Sequence, residues 1–367
     1  MKRRYKILRI FLVVVALAVS GLAVVLSYTS PCPSEASESG SERTYSAAVS
    51  RCYGSPDVIE IANVPKAEPG DDEVLVRVKA ASVNPLDYHY MRGSPYIMRL
   101  EAGIGSPADE RMGVDFAGVV EAVGSGVSKF KVGDEVFGGR SGAFGEYVTV
   151  RESRAIAHMP ANVSFPEAAA VGIAGVTALQ AVRDVGKVTP GDRVLINGAS
   201  GGVGTFAVQI AKFLGAEVTG ICSTRNVDMV RTIGADHVID YTQDNYTERD
   251  ERYDVIVDNV GNHPVTANTG VLEDDGRFVL VGGEKGDWIA PLKGPIKTIL
   301  LAPFVDQKMS SMLAQLRQED LEFLARLMES GDLDPVIDQE FPLDAVAEAI
   351  RYSETGRARG KIIVTID

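Results

Sequence analysis

The chain has 367 residues, of which 45% are hydrophobic and 24% are charged, as in an ordinary globular protein. This length is sufficient for two domains, each with its own hydrophobic core. The formal net charge of −13 argues against nucleic acid as a partner, because an acidic protein repels phosphate backbones.

The chain begins with a basic segment followed by an apolar one. Several Lys and Arg residues precede an uncharged run at positions 10–26. This run is longer than the apolar core of a usual signal peptide and lies at the short end of a membrane span. Residues 1–28 are therefore predicted to form a single-pass N-terminal membrane anchor, a transmembrane helix. A cleaved signal peptide and a buried core helix are the alternatives.

Residues 29–44, which are rich in Pro, Ser and Glu, are predicted to be a flexible linker. Beyond it, the segment 45–171 shows short apolar runs separated by turns. Val74, Val76 and Val78 alternate with other residues in the period-2 pattern of a half-buried strand. This segment is therefore expected to form a compact β domain. Its further predicted strands lie over residues 116–123, 132–137 and 146–150.

Residues 193–212 carry the most informative pattern of the chain. A short apolar run ends in a glycine-dense turn that opens an amphipathic helix, the setting in which a Gly-rich motif binds a dinucleotide pyrophosphate. Ala199 stands where the G-x-G-x-x-G motif has its first glycine, and a second strand over 217–221 completes the βαβ unit. The predicted cofactor contacts in the turn are Ser200, Gly201, Gly202, Val203 and Gly204.

The residues after the second strand select between the two nicotinamide cofactors. An NAD site expects a carboxylate about 20 residues past the glycines, on the ribose 2′-hydroxyl. Ser223, Thr224 and Arg225 occupy this place, and no acidic residue follows the strand before Asp228. Two hydroxyl groups and a guanidinium suit a 2′-phosphate, which a carboxylate would repel. The predicted cofactor is NADP(H).

Further apolar runs lie at residues 238–239, 255–257 and 278–281. They alternate with helical segments, which is typical of a parallel sheet. Residues 172–308 are therefore predicted to form a doubly wound Rossmann domain, which gives the chain an α/β fold. Residues 309–367 end in one more strand over 362–366.

Segments spread over most of the chain, in one order, resemble the zinc-free quinone oxidoreductases, the zeta-crystallin-like branch of the medium-chain dehydrogenase/reductases. Besides the Gly-rich turn, the matching segments are 53–54, 82–87, 113–118, 132–136, 261 and 356–361. The resemblance implies a GroES-like β-barrel for residues 45–171, to which residues 309–367 return. It also implies an active site in the cleft between the two domains. Members of this family often form homodimers, which is left open for this chain.

Zinc members of the superfamily need metal ligands that this chain lacks. Residues 113–115 read Gly-Val-Asp where those members carry Gly-His-Glu, and none of the four histidines has metal-ligand spacing. The three cysteines, Cys32, Cys52 and Cys222, show no paired spacing, so no disulfide framework is expected. No metal site is predicted. Without a Lewis acid, hydride transfer to an already polarised quinone or enone is favoured over alcohol chemistry.

The resemblance also supplies candidate active-site residues. Asn84 and Asp87 match the family's Asn-x-x-Asp, and Asn84 is expected to contact substrate or nicotinamide. Tyr88, His89 and Tyr90 are candidate proton donors, between which the sequence does not choose. Further cofactor contacts implied by the family are Thr177, Tyr241, Asn259, Val260, Val281 and Gly282.

The sequence therefore predicts a zinc-independent, NADPH-dependent oxidoreductase that acts on a quinone, an enone or a related activated carbonyl. The alternatives are a membrane-tethered NADPH-binding protein without turnover and a zinc-type alcohol dehydrogenase. The basic flank of the predicted anchor places the large domain outside the cytosol, whereas NADPH is a cytosolic reductant. The side of the membrane is therefore left undetermined.

Overall fold

The structure, a computed structural model, describes residues 2–33, 43–284, 286–288 and 290–367. In chain order its strands are β1 (Thr44–Ser50), β2 (Ile59–Pro65), β3 (Glu73–Val83), β4 (Asp115–Val123), β5 (Glu135–Gly139), β6 (Tyr147–Arg151), β7 (Ile156–His158), β8 (Arg193–Asn197), β9 (Glu217–Cys222), β10 (His237–Asp240), β11 (Tyr253–Asp258), β12 (Leu272–Leu280), β13 (Lys308–Ser311), β14 (Ile337–Pro342) and β15 (Lys361–Thr365). Its α-helices are α1 (Lys2–Ser27), α2 (Pro85–Arg92), α3 (Arg99–Ala102), α4 (Phe165–Leu179), α5 (Gly202–Phe213), α6 (Val227–Thr232), α7 (Val265–Thr269), α8 (Ala290–Leu301), α9 (Gln318–Ser330) and α10 (Val346–Glu354).

The first lobe contains a mostly antiparallel sheet of seven strands in the order β14–β15–β3–β4–β5–β7, with β6 paired to β3. The predicted strand is present, and Val74, Val76 and Val78 are buried in the core of this lobe while Arg77 is exposed. The alternation is incomplete, because Leu75 is buried as well. The predicted strand at 132–137 begins only at Glu135. Gly133, with a φ of +93°, belongs to the turn that precedes the strand.

The second lobe is a parallel sheet of six strands in the order β10–β9–β8–β11–β12–β13. The predicted doubly wound arrangement is therefore present. The strand order reverses direction between β8 and β11, and open α/β sheets bind their ligands at the carboxyl ends of the strands beside such a point. The Gly-rich turn after β8 consequently lies at the edge where a ligand is expected.

Helix α4 joins the two lobes. It packs against β3 and β4 on one side and against α5 on the other, so that one hydrophobic core continues from lobe to lobe. Small residues permit the close approach: a Cβ at Gly172 would lie 2.2 Å from Asp115 Oδ1. The predicted domain boundary at 171/172 falls within this helix. The predicted boundary at 308/309 falls within β13, the edge strand of the second lobe.

The chain that follows α1 is fixed to the first lobe by a disulfide. Cys32 is bonded to Cys52, with Cα atoms 5.1 Å apart. No disulfide framework was expected from the sequence and this bond was not predicted, while Cys222 is free. The chain after α1 folds back onto the loop that follows α2, where the backbone N–H of Ser30 donates to the oxygen of Gly105 over 2.8 Å. This fold-back brings the two cysteines together, and a spacing of 20 residues carries no signal for it.

One helix in the described part of the chain, Phe165–Val185, is long and apolar enough to cross a membrane, and 78% of its apolar window is buried in the core. It consists of α4 and the π-helical turn Gln180–Val185 that continues it. The apolar part of α1, Val13–Ser27, is shorter than that length. Helix length thus gives no support to the predicted transmembrane anchor, which stays a prediction.

Candidate active site

A cluster of buried polar side chains lies where α2 begins. Pro85 suits the first helical position, where its missing N–H needs no partner. Asn84 precedes it, and its backbone N–H donates to Asp87 Oδ2 over 2.7 Å. The side-chain nitrogen of Asn84 donates to Asp115 Oδ2 over 2.8 Å, and its oxygen accepts from Lys361 Nζ over 2.6 Å. We call Asn84, Asp87, Asp115 and Lys361 the buried polar cluster.

The buried polar cluster contains two carboxyl groups and one ammonium group. Lys361 Nζ lies 3.8 Å from Asp115 Oδ2, and Asp115 Oδ1 accepts from the backbone N–H of Ile173 in α4 over 2.9 Å. Burial raises the pKa of Asp87 to about 7 and also raises the pKa of Asp115, because a carboxylate is poorly solvated in the interior. Burial lowers the pKa of Lys361 for the same reason. Asp87 can therefore exchange a proton near neutral pH.

The structure places Asn84 inside this cluster rather than on an open surface. Asn84 is 1% exposed, and both ends of its side-chain amide are hydrogen-bonded to protein groups. The geometry favours a positioning role, in which Asn84 fixes the start of α2 relative to β4 and β15. Direct contact of Asn84 with substrate or nicotinamide stays a prediction.

The three candidate proton donors lie along α2 in different surroundings. His89 Nδ1 lies 2.7 Å from the backbone oxygen of Ser94, which ties the end of α2 to the following loop. Tyr88 is half-buried against the core of the first lobe, and burial raises its pKa. Tyr90 is 39% exposed, and burial of its hydroxyl raises its pKa as well. Both phenols are therefore protonated at neutral pH and can donate a hydrogen bond.

The Gly-rich turn between β8 and α5 has the geometry of a phosphate cradle. Gly198 has a φ of +77°, and a Cβ at Gly204 would lie 2.0 Å from the backbone oxygen of Gly198. Gly201 stands at the N-terminal cap of α5, next to Gly202 and Val203 of the first turn. The first N–H groups of a helix have no partner within it, so they are available to an anion.

Two buried acceptors beside the cradle lack a hydrogen-bond partner among the described residues: Asn226 Oδ1 and Asn259 Oδ1. The side-chain nitrogen of Asn226 donates to Ser200 Oγ in the cradle over 2.9 Å, and that of Asn259 donates to the oxygen of Asn197 at the end of β8 over 3.0 Å. Buried oxygens without partners are costly. Ribose hydroxyls and a carboxamide offer the missing donors, so these residues fit a nicotinamide dinucleotide.

The predicted contacts after β11 and β12 lie side by side. Asn259 and Val260 follow β11, and Val260 is 41% exposed. Val281 and Gly282 follow β12, and their backbone N–H groups donate to the oxygen of Asp258 over 2.9 and 3.1 Å. These hydrogen bonds hold the two strand ends together at the same edge as the cradle.

Two other predicted contacts lie at the margins of this edge. Thr177 in α4 is 8% exposed, and its hydroxyl donates to the backbone oxygen of Ile173 over 2.6 Å. Its hydroxyl oxygen can still accept a hydrogen bond. Tyr241 follows β10 and is 55% exposed, so its ring is free to cover a ligand.

The residues predicted to bind a 2′-phosphate follow β9. Ser223 caps the short turn Thr224–Asn226. Thr224 Oγ1 donates to Asp240 Oδ2 over 2.5 Å, so its proton is already engaged. Arg225 is exposed, and its guanidinium donates to the backbone oxygen of Arg357. Ser223 and Arg225 are therefore better placed than Thr224 to donate to a 2′-phosphate, and NADP(H) as the cofactor stays a prediction.

The segment 356–361 supplies site residues to which sequence reasoning gave no role. The backbone N–H of Gly360 donates to the oxygen of Ser200 over 2.9 Å, so this segment lies against the cradle. The backbone of Arg357 consequently lies beside Arg225, the guanidinium of Arg359 pairs with Asp338, and Lys361 enters the buried polar cluster. The sequence feature that could have indicated these residues is the spacing Arg-x-Arg-x-Lys. Their positions in the site, however, follow only from the pairing of β15 with β3 in the first sheet.

Comparisons with known proteins agree with this architecture. The model of the alcohol dehydrogenase GroES-like domain matches residues 70–161, and that of a zinc-binding dehydrogenase matches residues 233–364. A zinc-type alcohol dehydrogenase-like protein of Schizosaccharomyces pombe is 37% identical over 82% of this chain and 89% of its own length. The chain belongs to the medium-chain dehydrogenase/reductases.

Two further similarities concern the branch within this family. A 2-methylene-furan-3-one reductase of Solanum lycopersicum is 33% identical over 85% of this chain and 76% of its own length. The structure of the quinone oxidoreductase from Coxiella burnetii superposes with a TM-score of 0.79 and 29% identity, covering 89% of this chain and 100% of that one. The resemblance to quinone oxidoreductases, with a GroES-like and a Rossmann-type domain, is thereby confirmed. The protein is an oxidoreductase of this family.

The zinc implied by the name of one matching family does not fit the residues of this medium-chain dehydrogenase/reductase. Within the described ranges, no group of three or more His, Cys, Asp or Glu side chains could hold a metal ion. At the place of the family's Gly-His-Glu, Asp115 is buried and bonded to Ser82, Asn84 and Ile173. The carboxyl oxygens of Asp115 are thus already hydrogen-bonded within the protein, so the residues at this place do not fit a zinc ion.

Proposed function

We propose that this protein transfers hydride from NADPH to a quinone, an enone or a related activated carbonyl, without a metal ion. One observation carries the proposal: the rim of the cradle presents Arg225, and Arg357 from the C-terminal segment lies against it. No acidic residue follows β9 before Asp228. A guanidinium stabilises a 2′-phosphate, whereas an NAD site uses a carboxylate directly after this strand. The nearby carboxylate of Asp240, on the adjacent strand, already accepts hydrogen bonds from Thr224 and Thr242.

The similar proteins support the class of acceptor. One of them is named for a 2-methylene-furan-3-one and another for a quinone, and both kinds of compound contain a carbonyl conjugated with a carbon–carbon double bond. Such acceptors are already polarised, so they accept hydride without the Lewis acid that alcohol chemistry requires. The absence of a metal-ligand set among the described residues is consistent with this chemistry.

The residues of the chain supply binding, orientation and a proton. Bound NADPH would provide the hydride. The buried polar cluster fixes α2 at its first turn, and this positions Tyr88 and Tyr90 on the following turns. Their protonated hydroxyls are the candidates for stabilising the oxyanion of an enolate or hydroquinone as it forms. Asn226 and Asn259 would hold the cofactor through their unpaired oxygens.

We also propose that α1 attaches the enzyme to a membrane. Several large apolar side chains of this helix are exposed, among them Val14 (58%), Leu17 (68%), Val19 (61%) and Leu22 (49%). A helix that exposes this much apolar surface is stabilised by an apolar environment such as lipid. This apolar segment is part of α1, which has 26 residues and extends beyond the segment to the basic N-terminal end. The homodimer stays a prediction, and the side of the membrane stays undetermined.

The full-length chain, purified in detergent, tests the enzymatic proposal. We expect it to oxidise NADPH in the presence of 1,4-naphthoquinone or but-3-en-2-one, and to do so faster than it oxidises NADH. Fluorescence of the bound nicotinamide measures binding separately from turnover. Tight binding of NADPH without turnover of any quinone or enone would reject the enzyme and favour a binding protein.

A further inference from the structure

The segment between α2 and β4 exposes a group of apolar side chains. Ile97 is 46% exposed, Leu100 58% and Ile104 54%. We call these three side chains the apolar face. Single exposed apolar residues are ordinary on protein surfaces, whereas three within eight positions of one short segment make that segment a candidate contact surface.

The apolar face lies on the segment that holds the end of α1. Arg99, between Ile97 and Leu100, is 2% exposed, and its Nη1 donates to the backbone oxygens of Leu26 and Tyr28 over 3.0 and 2.7 Å. The last carbonyls of a helix lack partners within it, so the guanidinium both satisfies them and complements the negative end of the helix dipole. This contact fixes α1 beside the apolar face.

Two further connections make the attachment firm. The chain after α1 forms a parallel bridge between Thr29 and Gly105, one residue beyond Ile104. The Cys32–Cys52 disulfide closes the same junction covalently. Helix α1 is therefore not a free tether, because its C-terminal end is built into the surface that carries the apolar face.

Aromatic residues surround this junction. Tyr28 directly follows α1 and is 58% exposed, and Trp288 is 46% exposed. The ring of Trp288 packs on that of Tyr96, with centroids 4.8 Å apart. Tyr and Trp are enriched where a membrane meets water, because their rings are apolar and their polar atoms remain solvated. Such residues are expected at the level of the lipid headgroups.

We propose that the apolar face rests on the lipid bilayer into which α1 inserts, so that the enzyme takes its acceptor from the membrane. The inference rests on the membrane attachment proposed above and names the surface and the substrate class. The argument is one of continuity, since Arg99 and Gly105 hold the end of the apolar part of α1 against the segment that carries the apolar face. Glu101, next to Leu100, is exposed, and its charge limits the insertion of the apolar face to the headgroup region of the bilayer.

The position of the apolar face relative to the cleft gives it a function. Ser94 Oγ donates to Asp287 Oδ1 over 2.6 Å, and the backbone N–H of Tyr96 donates to the oxygen of Asp287 over 2.7 Å. These bonds join the loop after α2 to the segment that follows Val281 and Gly282, across the cleft between the lobes. The apolar face thus borders the cleft, and a quinone or enone dissolved in the bilayer can enter from this side.

The chain contains one tryptophan, which provides an intrinsic probe at this junction. Full-length protein is reconstituted into phosphatidylcholine vesicles whose acyl chains are either plain or brominated near the headgroup. Because bromine quenches tryptophan only at short range, we expect Trp288 to lose most of its fluorescence in the brominated vesicles. The double variant Leu100→Asp/Ile104→Asp should lose much less. Val132→Asp, at an exposed position between β4 and β5, is the control and should be quenched as the wild type is.

Three outcomes overturn the proposal. Equal Trp288 fluorescence of the wild type in both kinds of vesicle means that the domain stands away from the lipid. Quenching that is unchanged in the double variant means that another surface makes the contact. If bromine does not quench the wild type, and the wild type forms a dimer that the double variant disrupts, the apolar face binds a second copy of the chain. Quenching does not require turnover, so failure of the enzymatic proposal is detected separately by the NADPH assay.

Discussion

The ammonium group of Lys361 and the side-chain oxygen of Asn84 lie 2.6 Å apart, although 277 positions separate the two residues in the chain. The contact arises because β15 pairs antiparallel with β3, which places Ile362 opposite Val83. Gly360 meanwhile touches the cradle. Two consecutive residues, Gly360 and Lys361, thus connect the cofactor edge of one lobe to the buried polar cluster of the other.

Removal of the ammonium group tests this relationship. We expect Lys361→Met to lower the free energy of unfolding by about 3–5 kcal/mol, because it leaves buried carboxyl groups without a cation. Denaturant unfolding in detergent measures the loss. The second change Asp115→Asn should restore part of the stability, while Lys131→Met, at an exposed lysine, should cost little. A single Lys361→Met variant as stable as the wild type would show that the ion pair is dispensable.

The stability of the protein should depend on pH through Asp87. Its pKa is about 7 in the folded chain, above its ordinary value of 3.8. The folded state thus binds this proton more tightly, so the stabilisation is complete below about pH 4 and is lost as the pH rises towards 7.

The variant Asp87→Asn cannot lose the proton. Between about pH 5 and pH 8 its free energy of unfolding should therefore fall less than that of the wild type, by roughly 1–3 kcal/mol. Comparing the two proteins cancels the titration of all other groups. Asp228→Asn, at a fully exposed carboxyl group, serves as the control. Parallel pH profiles for Asp87→Asn and the wild type would contradict the assignment.

The preference for NADPH should depend on Arg225. We expect Arg225→Ala to weaken NADPH binding by roughly tenfold and to leave NADH binding nearly unchanged, because only NADPH carries the 2′-phosphate. Titration of nicotinamide fluorescence measures both affinities. Arg231→Ala, in the following helix α6, removes the same charge from an exposed site and should change neither affinity. Equal affinities of the wild type for NADPH and NADH would contradict the prediction.

Activity should not require a metal ion. Prolonged dialysis against EDTA should leave the rate of quinone reduction unchanged, since no metal-ligand set was found among the described residues. Elemental analysis of active enzyme should find zinc well below one ion per chain. Loss of activity that added zinc restores would reverse this conclusion.

Attachment to membranes should depend on α1. The full-length protein is expected to stay with the membrane in alkaline carbonate, whereas a chain that starts at Tyr45 should be released. Leu17→Arg/Val19→Arg, which places two charges on the exposed surface of the helix, should also be released. Carbonate extraction followed by immunoblotting distinguishes the three proteins. Release of the full-length chain would contradict the proposed attachment.

Local patterns predicted much of the fold. The alternating valines of β3 and the strand, glycine turn and helix around Gly201 were identified because a period of two residues and a glycine-dense turn are local properties. The end of β9 was likewise correctly located, so Ser223 and Arg225 lie together at the edge of the sheet. These features need only a few neighbouring residues to be recognised.

The parts that sequence reasoning missed depend on distant pairing. The cysteine pair and the contact of Lys361 with Asn84 are set by which strands and loops become neighbours in space. The place of Asn84 in the buried polar cluster likewise follows from β4 and β15, which a reading of α2 alone does not include. The bond of Thr224 to Asp240 depends on the adjacent strand in the same way. The ligand contacts predicted for Asn84 and Thr224 stay predictions.

The bond between Cys32 and Cys52 makes a closed ring of the chain between them. A protease that cuts once within this ring does not separate the enzyme from its N-terminal helix, because the severed ends stay joined through sulfur. Under non-reducing electrophoresis the nicked protein would migrate as one species, and a thiol reductant would split it in two. A cut within this ring would thus release the catalytic part only after reduction of the disulfide.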